Sequence, residues 1–482
     1  MARRGAELAS FPAEVREVRR ARQAATAYWE KLALPYDRLQ VPDMGVQAAL
    51  DSAVRNIYQA REIKRGLPAF QVGPTCYRGL WVVDGSFLLE AVTYLGRTNE
   101  TRDGIKYLMG FQRPDGGFML IDGHWKETGI VLWAIARHAQ LTGDRAWLAS
   151  VWPQVQRGFA FIRTMRQMPP SGSPNEGLIP DGFSDGGLAD RVPEYTNVYW
   201  TMAGLRAAVA AARWLGRNDE AAAWQREYED FVAAFRRAAE RDARTDARGN
   251  RYVPIRMAKG EGIPPQKAQW AFLHAVFPGQ VFAPDDALVR GNLAMLRDAE
   301  CEGLVRDTGW LKNGLWTYFA SFYAHAWLWE GEGDKAARTL YAFANHASPL
   351  LCWREEHMPA GEGAQVVGDM PHNWASAEFI RLVRHALALE RGDELHLFEG
   401  FPKRWNMPGG VTRLRQVPTS FGPLSLEWQV AKDGRAGTLR ISPPRRTPPA
   451  RLVWHLEPWS GQHGSRELPP NRPSAHTLRL VP

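Results

Sequence analysis

Cysteine is scarce in this chain: Cys76, Cys301 and Cys352 are the three in 482 residues, widely spaced and without a CxxC pair. So few excludes a disulfide framework, and the absence of ligand spacing among His, Cys and Asp predicts neither a metal nor a cofactor. Long apolar runs are missing too. Nothing approaches the roughly 18 residues of a membrane span, and Met1 to Glu7 carry no apolar stretch of signal-peptide length. The expectation is a cytoplasmic protein without membrane contact. A long basic run is likewise absent, although Lys and Arg outnumber Asp and Glu by 60 to 52 and the pI is about 9.4. The arginines are spread among acids at helical spacing, as where Arg226 precedes Glu229 and Asp230. This is a solvated Arg-rich surface, and it argues against nucleic acid as a partner.

What the chain has in excess is tryptophan: 20 residues, against 20 Phe and 13 Tyr. Trp fills cores and also stacks on flat ligands, so position must decide between the two. Apolar residues recur at helical spacing in twelve segments: 43–62, 83–96, 100–111, 126–142, 144–167, 196–215, 217–241, 266–276, 285–299, 315–330, 333–347 and 374–391. Tight Gly-containing turns, such as Thr142-Gly143-Asp144, alternate with long connections at 63–82, 112–125, 168–195, 242–265, 300–314 and 348–373. The expected fold is mainly α: six helical hairpins in an (α/α)6 barrel over 43–393. The long loops gather at one end and build a cleft there. Residues 1–42 read as an amphipathic helix (Pro12 to Leu32) with an extended lead-in. Period-two segments at Leu395–Phe398, Leu424–Val430 and Thr438–Ile441 make 394–482 a small β appendage.

Carboxylates and aromatics recur together on these loops. The first ends Tyr77-Arg78-Gly79-Leu80-Trp81-Val82-Val83-Asp84, where Asp84 either caps a helix or holds sugar hydroxyls. The second gives Trp125-Lys126-Glu127 in front of an apolar helix, a place where the helix dipole favours a carboxylate. The third carries Asp185 between Ser184 and Gly186, then Asp190, Glu194 and Tyr195; the flanking glycines allow close backbone approach to a ligand. Trp270 opens the helix after the fourth, and the fifth supplies Trp310 and Trp316. The sixth carries most: Glu355-Glu356-His357-Met358-Pro359, then Gly368-Asp369-Met370-Pro371-His372-Asn373-Trp374. Acids beside Trp and His on converging loops suit a carbohydrate substrate, with oxygen acids and bases next to flat apolar faces.

The order of these motifs resembles the six-hairpin glycosidases of the glucoamylase type, a group that also holds trehalases, processing α-glucosidases and α-L-rhamnosidases. The similarity spans 43–391. It implies an inverting glycoside hydrolase in which Glu355 is the general base, with Glu356 beside it. The general acid falls in the 181–190 loop at Asp185, with Glu127 in reserve. Asp84-Gly85 resembles the group's sugar-binding motif, but Val83 stands where the group has Arg, and Ser184-Asp185 where glucoamylases have Trp-Glu; both departures weaken a glucose-specific reading. Tyr77, Arg78, Trp81, Asp84, Trp125, Lys126, Tyr195, Trp270, Trp310, Trp316, Glu356 and His372 are the expected substrate contacts. Two other readings share these residues: a phosphorylase on the same fold, and a non-catalytic carbohydrate-binding protein.

Overall fold

A computed structural model describes residues 14–258, 262–460 and 464–480. The chain forms two compact units, 1–35 and 36–482. In the first, helix α1 (Val15–Lys31) buries none of its residues. The expected start of this helix at Pro12 lies outside the described residues.

The second unit has an α-rich core. Helices α2 (Met44–Gln59), α3 (Val82–Tyr94), α4 (Thr98–Met109), α5 (Lys126–Thr142), α6 (Arg145–Ser150), α7 (Trp152–Met165), α8 (Thr196–Trp214) and α9 (Asn218–Asp242) are followed by α10 (Trp270–Val276), α11 (Ala287–Arg297), α12 (Phe319–Trp329), α13 (Gly333–Asn345) and α14 (Asn373–Leu387). They fall into two kinds. Every residue of α10, α12 and α14 is buried, and nearly all of α3, α5 and α8. By contrast α13 buries only Ala336, Thr339, Leu340 and Phe343, a stripe at i, i+3, i+4 and i+7. These six inner helices touch in a closed cycle, α3–α5–α8–α10–α12–α14 and back to α3. The amphipathic helices lie against them: α2 on α14, α4 on α3, α7 on α5, α9 on α8, and α11 and α13 on α12.

Inside the cycle runs a buried ion network. Arg381 pairs with Glu90 and Glu378, both at 2.6 Å, and Arg137 joins Glu90 to Glu390. Burial alone would raise the Glu90 carboxyl; Arg381 and Arg137 bring it down to about 2.

Several helices end earlier or start later than periodicity predicts. The 374–391 segment stops being helical at Leu387, because Ala388–Arg391 forms an antiparallel hairpin with Glu394–Leu397. The 315–330 segment begins as a strand, Leu315–Trp316, and turns helical at Phe319. The 144–167 segment breaks at Val151, where Pro153 starts a new helix in its first turn.

Beyond the helices, strand signals are realised in two sheets. Leu39–Gln40, Val411–Thr419, Gly422–Val430, Ala436–Ser442 and Ser474–Arg479 form a five-stranded antiparallel sheet. A four-stranded sheet orders Ala388–Arg391, Glu394–Leu397, Arg451–His455 and Ser465–Leu468, its middle pair parallel. A third small sheet aligns Leu315–Trp316, Glu356–His357 and Val366–Val367, with Trp316 opposite Glu356. No described helix is long and apolar enough to cross a membrane.

Candidate active site

At the N-terminal ends of α3, α5, α10, α12 and α14, and on the loops before them, side chains surround a pocket of about 690 Å³ including its open mouth. Four carboxylates face it: Asp84, Glu127, Asp185 and Glu355. The apolar walls include Trp81, Trp270, Trp310, Trp316 and Trp374. Tryptophan therefore serves both purposes here, since Trp152, Trp200, Trp353, Trp405, Trp428 and Trp454 are fully buried core.

Glu355 is held at the bottom of its loop. Its backbone N–H donates to Asp369 O and its C=O accepts from Thr317 N, and Tyr77 lines the same pocket. Burial, then neighbouring Glu356, and further off Asp84 and Asp185, push the carboxyl well above the usual range; the nearby Tyr77 hydroxyl opposes this. One oxygen, Oε2, is buried without a hydrogen-bond partner, and His372 Nε2 stands 3.9 Å from it.

Asp185 sits at φ +67°, a left-handed conformation that a non-glycine residue adopts at some cost. Its backbone N–H donates to Leu188 O at 3.2 Å, and its Oδ1 accepts the Gly186 N–H at 2.9 Å. The Asp185 charge acts on Asp84, Glu127, Glu355 and Tyr77, so it is electrostatically central.

Asp84 lies in the first turn of α3, half-open to the pocket, and burial with help from Asp185 lifts its carboxyl to about 7. Glu127, in the first turn of α5, is lifted to about 8 by burial. Hydrogen bonds from the Leu120 and Ile121 N–H groups hold it lower than burial alone would. A carboxyl raised this far can carry a proton at neutral pH and give it away.

Of the expected contacts, Tyr77, Trp81, Asp84, Trp270, Trp310 and Trp316 line the pocket together with Glu127, Asp185 and Glu355. Six others do not. Arg78 points to the surface and pairs with Glu62. The Trp125 ring donates to Asp181 O at 3.0 Å. Lys126 is buried behind the wall, donating to Phe183 O at 2.8 Å and lying 5.6 Å from the Trp270 ring. Tyr195 turns towards the outer layer, where its hydroxyl donates to Asp242 at 2.7 Å. Glu356 is buried outside the pocket, accepting the Trp310 and Leu311 N–H groups at 2.5 and 2.8 Å. It anchors the fifth loop to the sixth, and burial raises it to about 7. His372 is wholly buried, stacked on Tyr318 at 4.8 Å, and burial lowers it to about 3.

The structure adds lining residues that motif reading passed over: Ile121, His124, Phe183, Tyr318 and Trp374. His124 and Trp374 stand one or two positions from expected contacts. The packing of α5 and α14 decides which neighbour faces inward. Both helices bury charged residues (Lys126 and Glu127; Glu378, Arg381 and Arg384), so polarity along the chain does not mark the pocket side.

No family model matches this chain. An uncharacterized glycosyl hydrolase of Methanocaldococcus jannaschii is 27% identical over 97 residues, which cover 18% of this chain and 16% of that protein. Solved structures match over far more. A glycosidase variant in complex with glucose covers 72% of this chain and 98% of its own at 15% identity, TM-score 0.55. A Klebsiella oxytoca rhamnosidase with rhamnose bound covers 73% and 66% at 16% identity, TM-score 0.54. The Aspergillus terreus α-L-rhamnosidase covers 92% of this chain, which spans 50% of that longer one, at 12% identity and TM-score 0.58. The chain has the fold of these glycosidases and rhamnosidases.

Proposed function

We propose that this protein is a glycoside hydrolase acting by inversion, built as an (α/α)6 barrel of six hairpins over 43–393 with a β appendage at 394–482. The observation that carries the activity is the pocket itself: four carboxylates and five tryptophans converge in one cavity at the helix N-termini. Glycosidases and rhamnosidases of the same fold, two with glucose or rhamnose bound, support a carbohydrate substrate.

In this reading Glu355 is the general base. It activates a water on one face of the sugar, and backbone hydrogen bonds to Asp369 and Thr317 hold its place in the loop. Asp185 protonates the leaving oxygen from the opposite face, across the gap of about 6.5–9.5 Å that inversion requires. Asp84 accepts sugar hydroxyls, and the tryptophan faces cover the apolar side of the ring. The raised carboxyl of Glu127 favours a second assignment, with Glu127 as the acid and Asp185 as a binding group.

A panel of aryl glycosides, glucosides and rhamnosides included, followed by NMR of the released anomer, tests the function. Turnover that needs phosphate points instead to a phosphorylase, and binding without turnover to a carbohydrate-binding protein. Activity that survives Glu355→Gln would sink the base assignment. The leaving group separates the acids: the true acid variant, Asp185→Asn or Glu127→Gln, loses far less activity on an activated nitrophenyl glycoside than on an alkyl one.

A further inference from the structure

Away from the pocket, the four-stranded sheet gathers His396, Glu399 and His455, whose ligating atoms lie within 4.8 Å of one another. His396 is on Glu394–Leu397, Glu399 lies two residues past that strand, and His455 ends the parallel neighbour Arg451–His455. The separations suit one ion. His396 Nδ1 and His455 Nε2, hydrogen-bonded to each other at 2.9 Å, and Glu399 Oε2, 3.9 Å from His455 Nε2, would move apart or together by less than an ångström to share one ion. Zinc bonds of about 2.0–2.2 Å in tetrahedral geometry put ligand atoms roughly 3.3 Å apart, between these two values.

A second observation points the same way. Glu399 is 8% exposed, and its Oε2 is buried with no hydrogen-bond partner. A carboxylate oxygen enclosed in this way is costly without a donor or ion of its own, even where the other oxygen is paired. Its other oxygen, Oε1, accepts from Arg391 at 2.6 Å, which fixes the carboxylate plane and leaves Oε2 aimed at the histidines. The outer nitrogen of His396, Nε2, contacts Glu394 Oε2 at 2.9 Å, and His455 Nδ1 lies 3.9 Å from Glu457. Metal-bound imidazoles keep such carboxylates on the nitrogen facing away from the ion.

We propose that His396, Glu399 and His455 bind a divalent zinc ion, with a fourth position open to water, and that the ion cross-links the two central strands. The histidines stand 59 residues apart in sequence, so the ion closes a long loop of the β region. Its role is structural. The strands follow α14, whose 15 residues span roughly 22 Å and begin at the pocket wall beside His372.

The test strips the full-length protein with chelator, then adds zinc while recording stoichiometry by calorimetry and the melting temperature. One ion per chain and a rise of about 2–5 °C are expected. In H396Q and H455Q both should vanish, while turnover at room temperature stays unchanged. Cobalt substitution provides an arm that needs no variant, since the intact protein should show the intense visible bands of a tetrahedral site. Absence of a zinc-dependent shift in the intact protein, a weak octahedral cobalt spectrum, or undiminished one-to-one binding by folded H396Q and H455Q would each overturn the site. None of these readouts depends on glycosidase activity, so failure here is separate from failure of the proposed reaction.

Discussion

A side-chain carbon on Gly368 would stand 1.9 Å from Oε2 of Glu355, and Gly368 adopts φ +72°. Glycine at 368 is thus what lets the sixth loop fold over the carboxylate. Gly368→Ala should push Glu355 from its place and lower kcat about 10²-fold or more, with a smaller change in KM. Steady-state kinetics beside a sugar-binding titration checks this; equal loss in both would mean the pocket has collapsed.

Adjacent glutamates should respond in opposite ways to the same substitution. Glu355→Gln is expected to cost about 10²–10⁴ in kcat, the range for a general base. It should leave stability unchanged or higher, because it removes a buried carboxylate pushed up by burial and by Glu356. Glu356→Gln places an amide N–H against the Trp310 or Leu311 N–H, costing about 1–3 kcal/mol of stability. Urea denaturation of both variants, alongside turnover, separates the roles.

Stability should fall as pH rises from about 4.5 to 8. Asp84, Glu356 and Glu127 are raised to about 7, 7 and 8, so the folded state binds more protons than the unfolded chain across this window. Their contribution is complete below the unfolded carboxyl value and is lost as each ionises in the fold. Below about pH 4 the sign reverses, because Glu90 sits near 2 and its ion pairs need the charged form. Denaturation midpoints measured from pH 3 to 9 should peak between about pH 4 and 4.5. Glu127→Gln should flatten the alkaline decline; an unchanged slope would count against a raised Glu127.

The same value predicts a feature of the kinetics. If Glu127 is the acid, kcat/KM falls as pH rises through about 8, and that limb disappears for substrates with activated leaving groups.

Trp310 is 38% exposed at the pocket mouth. Trp310→Ala should raise KM roughly tenfold, the equivalent of about 1.4 kcal/mol of lost ring contact, with kcat little affected. A selective fall in kcat would place Trp310 in transition-state binding instead.

Composition and periodicity were enough to mark an α-rich chain whose acids and tryptophans share long loops, because helix repeats and Gly-rich turns are local properties. They also marked Tyr77, Asp84, Asp185 and Glu355, each of which lies on a pocket-lining loop or the first helical turn after it. Local signals could not tell Glu355 from Glu356. Pairing with Trp316 directs Glu356 towards the fifth-loop amides, and the preceding residue then faces the cavity. Nor could they rank His372 against Trp374 or Lys126 against His124, since rotation of a fully buried helix is set by its neighbours. The His396–Glu399–His455 cluster lies further still from sequence reading. Strand pairing alone brings His396 to a residue 59 positions away, and no spacing rule along the chain records a contact made through the fold.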